Sequence, residues 1–198
     1  MQGAYPLWAP RRRAARTCST AAQANLITNG GFETGSFSGW TGVGSTTFNG
    51  VFCPGPPTAL EGNCTAFFGP IGSTGGISQT FATAIGGPLH IHFIFQNDNG
   101  SPGSFLAEWI SGSTTSLVSL TNPAGVGTST YNFDVTATAA TGSLRFTFRD
   151  DPGFMFLDDV SVVPTAVVPE PDTMMLLGLG LAGLAARRRR KQQVVMHP

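Results

Sequence analysis

Apolar and polar residues alternate along several short stretches in the middle of the chain. One such stretch has an apolar face made of Leu89, Ile91, Phe93 and Phe95, and its other face carries His90, His92, Ile94 and Gln96. The same period of two recurs at 105–110, 131–136 and 144–149. Because successive side chains of a strand point to opposite faces, this pattern predicts β-strands that each bury one face.

Five further segments have the composition of strands, and turns rich in Asn, Asp, Gly and Pro separate them. These segments lie near 40–48, 65–68, 77–81, 116–120 and 156–163. Eight or nine short strands without any helical period are typical of an all-β protein. We therefore predict an antiparallel β-sandwich of the jelly-roll type at residues 25–163.

A different pattern occupies the C-terminal end, after a short linker at 164–168. Thirteen consecutive apolar residues, Met174–Ala186, are followed by the basic cluster Arg187–Lys191 and by a further tail at 192–198. As a helix the apolar run would be roughly 20 Å long, which is short against a bilayer core of about 30 Å. Because Lys and Arg stay on the cytoplasmic side during insertion, this short helix would direct the sandwich across the membrane.

The first 24 residues form an atypical leader. Ala22-Gln23-Ala24 has the small-x-small pattern of a signal cleavage site. A secretory signal also needs an apolar stretch before that site, but only the polar segment 17–23 follows Arg16. Two interpretations stay open: an incorrect leader joined to a genuine cleavage region, or a basic arm on a cytoplasmic protein.

Charge is strongly segregated along the chain. Between Asn25 and Pro171, two basic residues against ten acidic ones leave a formal charge of −8. Such a domain would repel phosphate backbones, so we expect no nucleic-acid partner.

Three cysteines are present, and Cys18 lies in the leader. Cys53 and Cys64 then remain as a pair around a loop that contains Pro54, Gly55 and two more prolines. In an exported domain we expect these two to form a disulfide, with two free thiols as the alternative.

The C-terminal tail resembles the PEP-CTERM protein-sorting signal. The resemblance rests on Pro169, Glu170 and Pro171, on the apolar run and on the arginine cluster, over residues 169–191. It implies processing near the motif by an exosortase, in a Gram-negative bacterium that makes exopolysaccharide, after transient anchoring in the inner membrane. An ordinary short anchor with chance prolines is the alternative.

The domain resembles galactose-binding-like jelly rolls of the carbohydrate-binding-module type. The opening segment Asn25–Glu33 with Gly39-Trp40 and the closing segment Phe156–Val162 carry this resemblance. It implies a structural calcium ion held by Glu33 and Asp159, because the first and last strands of such modules lie side by side. A metal-free, hydrogen-bonded pair of acids is the alternative.

Other candidate residues have structural explanations. His90 and His92 share a strand face as zinc ligands do, but no third ligand is evident, so we expect them to face solvent. Trp40, Trp109 and Tyr131 have the rings that stack on sugars, yet Trp109 and Tyr131 fall on apolar strand faces and Trp40 belongs to the opening motif. We expect all three to pack in the core.

Catalytic residues are not evident in the sequence. The acids Asp150-Asp151 and Asp158-Asp159 are adjacent rather than placed across a cleft, and no nucleophile elbow or triad is present. We expect an exported, non-enzymatic protein of the cell envelope or extracellular matrix. A carbohydrate-binding module that recognises an exopolysaccharide is one alternative, and an exported hydrolase is another.

Overall fold

The computed structural model describes residues 24–55, 59–125 and 127–165. Most of the leader, most of the linker, and all of the sorting tail and the residues after it lie outside this range, so the structure does not test the predictions made for them. Ten strands are present in the described residues: β1 (Thr41–Gly44), β2 (Asn49–Phe52), β3 (Thr65–Phe68), β4 (Gly75–Ala82), β5 (Pro88–Asn97), β6 (Gly103–Ser111), β7 (Ser113–Thr121), β8 (Gly127–Thr136), β9 (Thr141–Asp150) and β10 (Met155–Pro164).

The strands form two five-stranded antiparallel sheets. Sheet A has the order β1-β4-β9-β6-β7, and sheet B has the order β2-β3-β10-β5-β8. Successive strands such as β9 and β10 belong to different sheets, so the chain crosses repeatedly between the two layers. This arrangement confirms the predicted all-β sandwich. None of the described residues forms a helix long and apolar enough to cross a membrane.

The core lies between the sheets, because each long strand turns one face inward. Every second residue is buried along β5 and along β9, as the alternation in the sequence predicts. Phenylalanines join the layers: Phe68 of sheet B stacks on Phe148 of sheet A with ring centroids 4.0 Å apart, and Phe95 stacks on Phe105 at 4.1 Å. Burying one such side chain stabilises the fold by about 1.5–3 kcal/mol.

Two β-bulges interrupt the ladders. One lies between β6 and β7 at Ala107/Glu108, and the other lies in β10, where the register with β5 shifts between Asp158 and Ser161. Asp159 sits in the second bulge with φ of 46°, a left-handed conformation that aspartate tolerates better than most residues. A bulge re-aims the side chains next to it, and this one determines where the acids of the closing motif point.

Candidate functional site

The opening segment of the domain packs along β10. The Leu26 amide donates to the carbonyl of Val162 at 2.8 Å, and the Val160 amide donates to the carbonyl of Gly30 at 3.0 Å. A Cβ atom at Gly30 would collide with the Val160 carbonyl oxygen. The Asn-Gly-Gly-Phe-Glu sequence therefore provides a close backbone approach, which places Glu33 near the closing strand.

Glu33 is held by the loop that the cysteines close. Its Oε1 accepts hydrogen bonds from the amides of Asn63 (2.7 Å) and Cys64 (3.1 Å). These backbone donors hold the pKa of Glu33 below its ordinary value. Cys64 is joined to Cys53 by a disulfide, so the bridge fixes the loop segment that supplies both amides.

Asp158 is covered by the same loop. Its Oδ2 accepts from the Glu61 amide and the Thr65 hydroxyl, both at 3.0 Å, and its Oδ1 accepts from the Asp159 amide at 2.8 Å. Burial raises the pKa of Asp158 to about 6, although these hydrogen bonds act in the opposite direction. All of its identified partners are N–H or O–H groups of the protein, so this carboxylate holds the loop and β10 together.

Asp159 turns towards a different strand. Its Oδ2 lies 3.1 Å from His92 Nε2 of β5, a residue of the outer face of sheet B. In a regular strand, Asp158 and Asp159 would point to opposite faces. The bulge breaks that alternation, and Asp158 rather than Asp159 lies near the Glu33 segment, 3.9 Å from the Cβ position of Gly31.

These contacts do not favour a calcium ion shared by Glu33 and Asp159. The Glu33 oxygens face amide donors, and Asp159 faces a histidine ring. In the described part of the chain, no group of three or more His, Cys, Asp or Glu side chains is arranged to hold a metal ion. Calcium at this pair stays a prediction.

His90 and His92 belong to a polar network on the outer face of sheet B. The ring atom Nδ1 of His90 lies 2.7 Å from Asp134 Oδ1, and Asn132 Oδ1 lies between the two rings, 3.2 Å from His90 Nε2 and 2.9 Å from His92 Nδ1. The contact with Asp134 raises the pKa of His90. Both rings face outward, as predicted, and their neighbours are hydrogen-bonding groups of β8 and β10.

The large aromatic residues that the sequence assigned to the core are found there. Trp40 and Trp109 are buried, and Tyr131 stacks on the buried Phe93 with centroids 5.1 Å apart. The Trp40 indole N–H donates to the carbonyl of Asn29 at 3.1 Å, so its polar atom is also satisfied. Tyr131 is half-buried, because β8 is an edge strand of sheet B.

Four other phenylalanines form an aromatic strip on the outer face of sheet B: Phe52, Phe67, Phe154 and Phe156. Phe67 and Phe156 are cross-strand neighbours of β3 and β10, and the ring of Phe154 meets that of Phe67 edge-on at 5.5 Å. Phe52 and Phe154 are exposed. Gly50 lies opposite Phe67, where a Cβ would come within 2.5 Å of the ring. This strip was not predicted, although alternation around the buried Ala66 and Leu157 places Phe67 and Phe156 outward.

Hydroxyl side chains surround a separate cavity of about 220 Å³ beside the β6–β7 hairpin. Its lining residues are Trp109, Ser111, Ser113, Thr115, Val135, Thr136 and Thr138. The cavity contains no carboxylate or histidine among these residues, and it therefore offers hydrogen bonds without a general acid or base.

The sandwich with its aromatic strip has the fold of carbohydrate-binding-module jelly rolls. The chain is similar to TmCBM61, solved in complex with β-1,4-galactotriose, at 18% identity and a TM-score of 0.62, over 72% of this chain and 99% of that chain. It is also similar to a family 16 carbohydrate-binding module at 15% identity and a TM-score of 0.50, over 70% and 99%. An arabinose-bound α-L-arabinofuranosidase, MgGH51, matches at 15% identity and a TM-score of 0.55, over 76% of this chain but 28% of the enzyme.

Residues 167–190 match the PEP-CTERM protein-sorting motif, which confirms the resemblance of the tail. A sorting motif of this kind supports an exported protein associated with the cell envelope. The comparison with curated proteins finds no match.

Proposed function

We propose that this chain is an exported, non-enzymatic protein of the cell envelope or extracellular matrix, that an exosortase processes its tail, and that its sandwich binds a neutral polysaccharide. The observation that carries the proposal is the combination of a sorting motif at 167–190 with a jelly roll of the carbohydrate-binding-module type. The motif supports export and processing of the chain, and the fold supports polysaccharide binding by the exported domain.

The order of chemical properties in the tail supports the sorting step. Prolines flank Glu170 on both sides, and proline fixes its own backbone and disfavours helix at the residue before it, so we expect an extended backbone at this position. An extended segment beside the membrane can enter a protease cleft. The arginines at 187–190 would remain in the cytoplasm of a Gram-negative host while the short apolar helix anchors the chain transiently in the inner membrane.

Substitution of Glu170 tests the sorting step. In a host that has its exosortase, Glu170→Ala or deletion of 169–191 should leave the protein uncut or undelivered, as seen by mass spectrometry and surface labelling. Asp172→Ala is the matched control, because it removes an acid just outside the Pro-Glu-Pro motif. Normal cleavage and surface display of Glu170→Ala would contradict this part of the proposal.

Charge and aromatic exposure support a neutral polysaccharide as the ligand. The aromatic strip presents flat apolar rings, and such rings pack against the C–H faces of sugar rings. The formal charge of −8 between Asn25 and Pro171 disfavours anionic glycans, because like charges repel. A few polar groups beside aromatic rings are typical of small-ligand sites, and Gln96 provides one as the cross-strand neighbour of Phe156.

Affinity electrophoresis against neutral and acidic polysaccharides tests this ligand. Phe67→Ala and Phe154→Ala should each weaken binding at least about tenfold, which corresponds to about 1.4 kcal/mol. Ile85→Ala is the control, because Ile85 is a large exposed apolar residue in the β4–β5 turn, outside the strip. Equal binding by all three variants, or a preference for acidic polysaccharides, would remove the strip as the binding surface.

An exported hydrolase is the remaining alternative. Three acids of the two adjacent pairs have protein partners. Asp151 binds Arg149 at 2.6 Å, Asp158 accepts three hydrogen bonds inside the protein, and Asp159 lies 3.1 Å from His92. The fourth, Asp150, has no solvent exposure. Glycoside hydrolysis needs two carboxylates across a substrate. Release of reducing sugar by the purified protein would favour the hydrolase over the proposed role.

A further inference from the structure

Asp150, at the end of β9, is a buried carboxylate without a protein donor. Its side chain is 0% exposed, and neither Oδ1 nor Oδ2 receives a hydrogen bond from the described residues. Leaving a buried charged group unpartnered is costly, so such a group in a folded protein requires an explanation.

A second carboxylate converges on the same place. A Cβ atom at Gly153 would collide with Asp98 Oδ1 and would lie 2.9 Å from Asp150 Oδ2, so the two acids approach one position above this glycine. Asp98 is anchored by the Phe154 amide, which donates to its other oxygen, Oδ2, at 2.7 Å. The β5–β6 and β9–β10 loops thus bring two negative groups together.

A backbone carbonyl oxygen lies close to the Asp150 carboxylate. A Cβ at Gly100 would collide with Asp150 Oδ1 and would lie 2.9 Å from the carbonyl oxygen of Pro152. The two side-chain oxygens of Asp150, which receive no hydrogen bond, therefore lie near a backbone oxygen and not near a donor.

The described residues supply no side-chain cation for this cluster. Arg145 and Arg149 are their only Lys or Arg residues. Arg145 pairs with Glu108 at 2.7 Å, and Arg149 pairs with Asp151 at 2.6 Å. Compensation for the charge of Asp98 and Asp150 must therefore come from a proton or from an ion.

We propose that Asp98 and Asp150, with the carbonyl oxygen of Pro152, form a calcium site that pins the β5–β6 loop to the β9–β10 loop. Calcium accepts hard oxygen ligands from carboxylates and backbone carbonyls in flexible geometry, which matches this set better than the strict octahedron of magnesium does. The site is separate from Glu33 and Asp159, which lie at the disulfide-closed loop and at the β10 bulge. It requires no third acid.

Calcium titration of the full chain tests the site. The protein is treated with EDTA, transferred to chelator-free buffer and titrated with CaCl₂ by calorimetry. The wild-type chain should bind calcium, and Asp98→Asn and Asp150→Asn should each weaken this binding at least about tenfold. Asp134→Asn is the charge-matched control, because Asp134 is an exposed acid on the outer face of sheet B. Its binding should equal that of the wild type.

Thermal unfolding with and without calcium provides a second readout. Calcium should raise the unfolding midpoint of the wild type and of Asp134→Asn, but not of Asp98→Asn or Asp150→Asn, because a ligand of the native state stabilises it. Asp98 is exposed, so we expect Asp98→Asn to fold normally. This variant therefore tests the site even if Asp150→Asn folds poorly. Absence of calcium binding in the wild type would overturn the proposal. So would binding that survives in both variants but is lost in Glu33→Gln.

Discussion

Asp150 and Asp158 are the two carboxylates with no solvent exposure among the described residues, and their surroundings differ completely. Asp158 accepts three hydrogen bonds, from the Glu61 and Asp159 amides and the Thr65 hydroxyl. Asp150 accepts none on its side-chain oxygens. Burial raises the pKa of both, to about 6 for Asp158 and to about 7 for Asp150.

The difference comes from what covers each carboxylate. Asp158 lies under the loop that ends at Cys64. This loop directs the Glu61 amide towards it, and Thr65, the first residue of β3, adds a hydroxyl donor. Asp150 lies under Gly100 and Gly153, and the approaching loops bring a second acid instead of donors. Burying a carboxylate is tolerated when it is paired or bound to a metal. One acid therefore has a structural role, whereas the other is suited to an external partner.

The largest expected effect concerns the disulfide beside Asp158. Replacing Cys53 and Cys64 by serine should destabilise the protein by ~3 kcal/mol, because the bridge restricts the unfolded chain and fixes the loop that covers Asp158. Urea unfolding of the full chain measures this loss, and reduction of the wild type should reproduce it. A loss below ~1 kcal/mol would show that the loop stays in place without its bridge.

The same conservative substitution at the two buried acids tests the contrast directly. Asp158→Asn should cost about 2 kcal/mol, because its amide group would face protein N–H or O–H donors. Asp159→Asn is the neighbouring control, and it should change the free energy of unfolding by less than about 0.5 kcal/mol, since Asp159 forms a partly exposed pair with His92. Equal effects at 158 and 159 would contradict the structural role of Asp158.

Much of this fold could be predicted from the sequence, because the buried face of a strand appears as an alternation of apolar and polar residues within a few positions. The alternation along 89–96 and 144–149 identified β5 and β9, and Trp109 and Tyr131 were correctly assigned to the core. The region near 40–48 was predicted as one strand, but it contains only the short strand β1 at Thr41–Gly44. The next strand, β2, begins at Asn49 and belongs to the other sheet. Alternation does not show to which sheet a short strand belongs.

The acidic sites could not be predicted in the same way. The orientation of Asp159 depends on a bulge, which shifts the register by tertiary contacts with Gly30 and β5. The isolation of Asp150 depends in part on the β5–β6 loop, which lies about fifty positions earlier in the chain. Only the aromatic strip left a readable signal, because Phe67 and Phe156 each alternate with buried neighbours.

A smaller effect of opposite sign is expected at Asp150. In EDTA at pH 8, Asp150→Asn should stabilise the protein by about 1 kcal/mol, because it replaces a buried, unpartnered charge by a neutral group of the same shape. Urea unfolding of Asp150→Asn and Asp158→Asn under identical conditions measures the two changes in the free energy of unfolding, which should have opposite signs. A loss of stability at both positions would mean that Asp150 receives a donor within the protein, and the contrast between the two acids would disappear.

The smallest effect concerns Asp134, which, unlike Asp150 and Asp158, is exposed and pairs with a histidine, His90. Its Oδ1 lies 2.7 Å from His90 Nδ1, and this contact raises the pKa of His90 above its ordinary value near 6.5. The stabilisation is therefore fully present below pH 6.5 and is lost as the pH rises through the raised pKa of the folded state. Because the pair is largely exposed, we expect it to contribute no more than about 0.5 kcal/mol. NMR titration of the His90 ring should give a lower pKa in Asp134→Asn and an unchanged one in Asp98→Asn. An unchanged value in Asp134→Asn would show that the outer network on sheet B, rather than this acid, determines the protonation of His90.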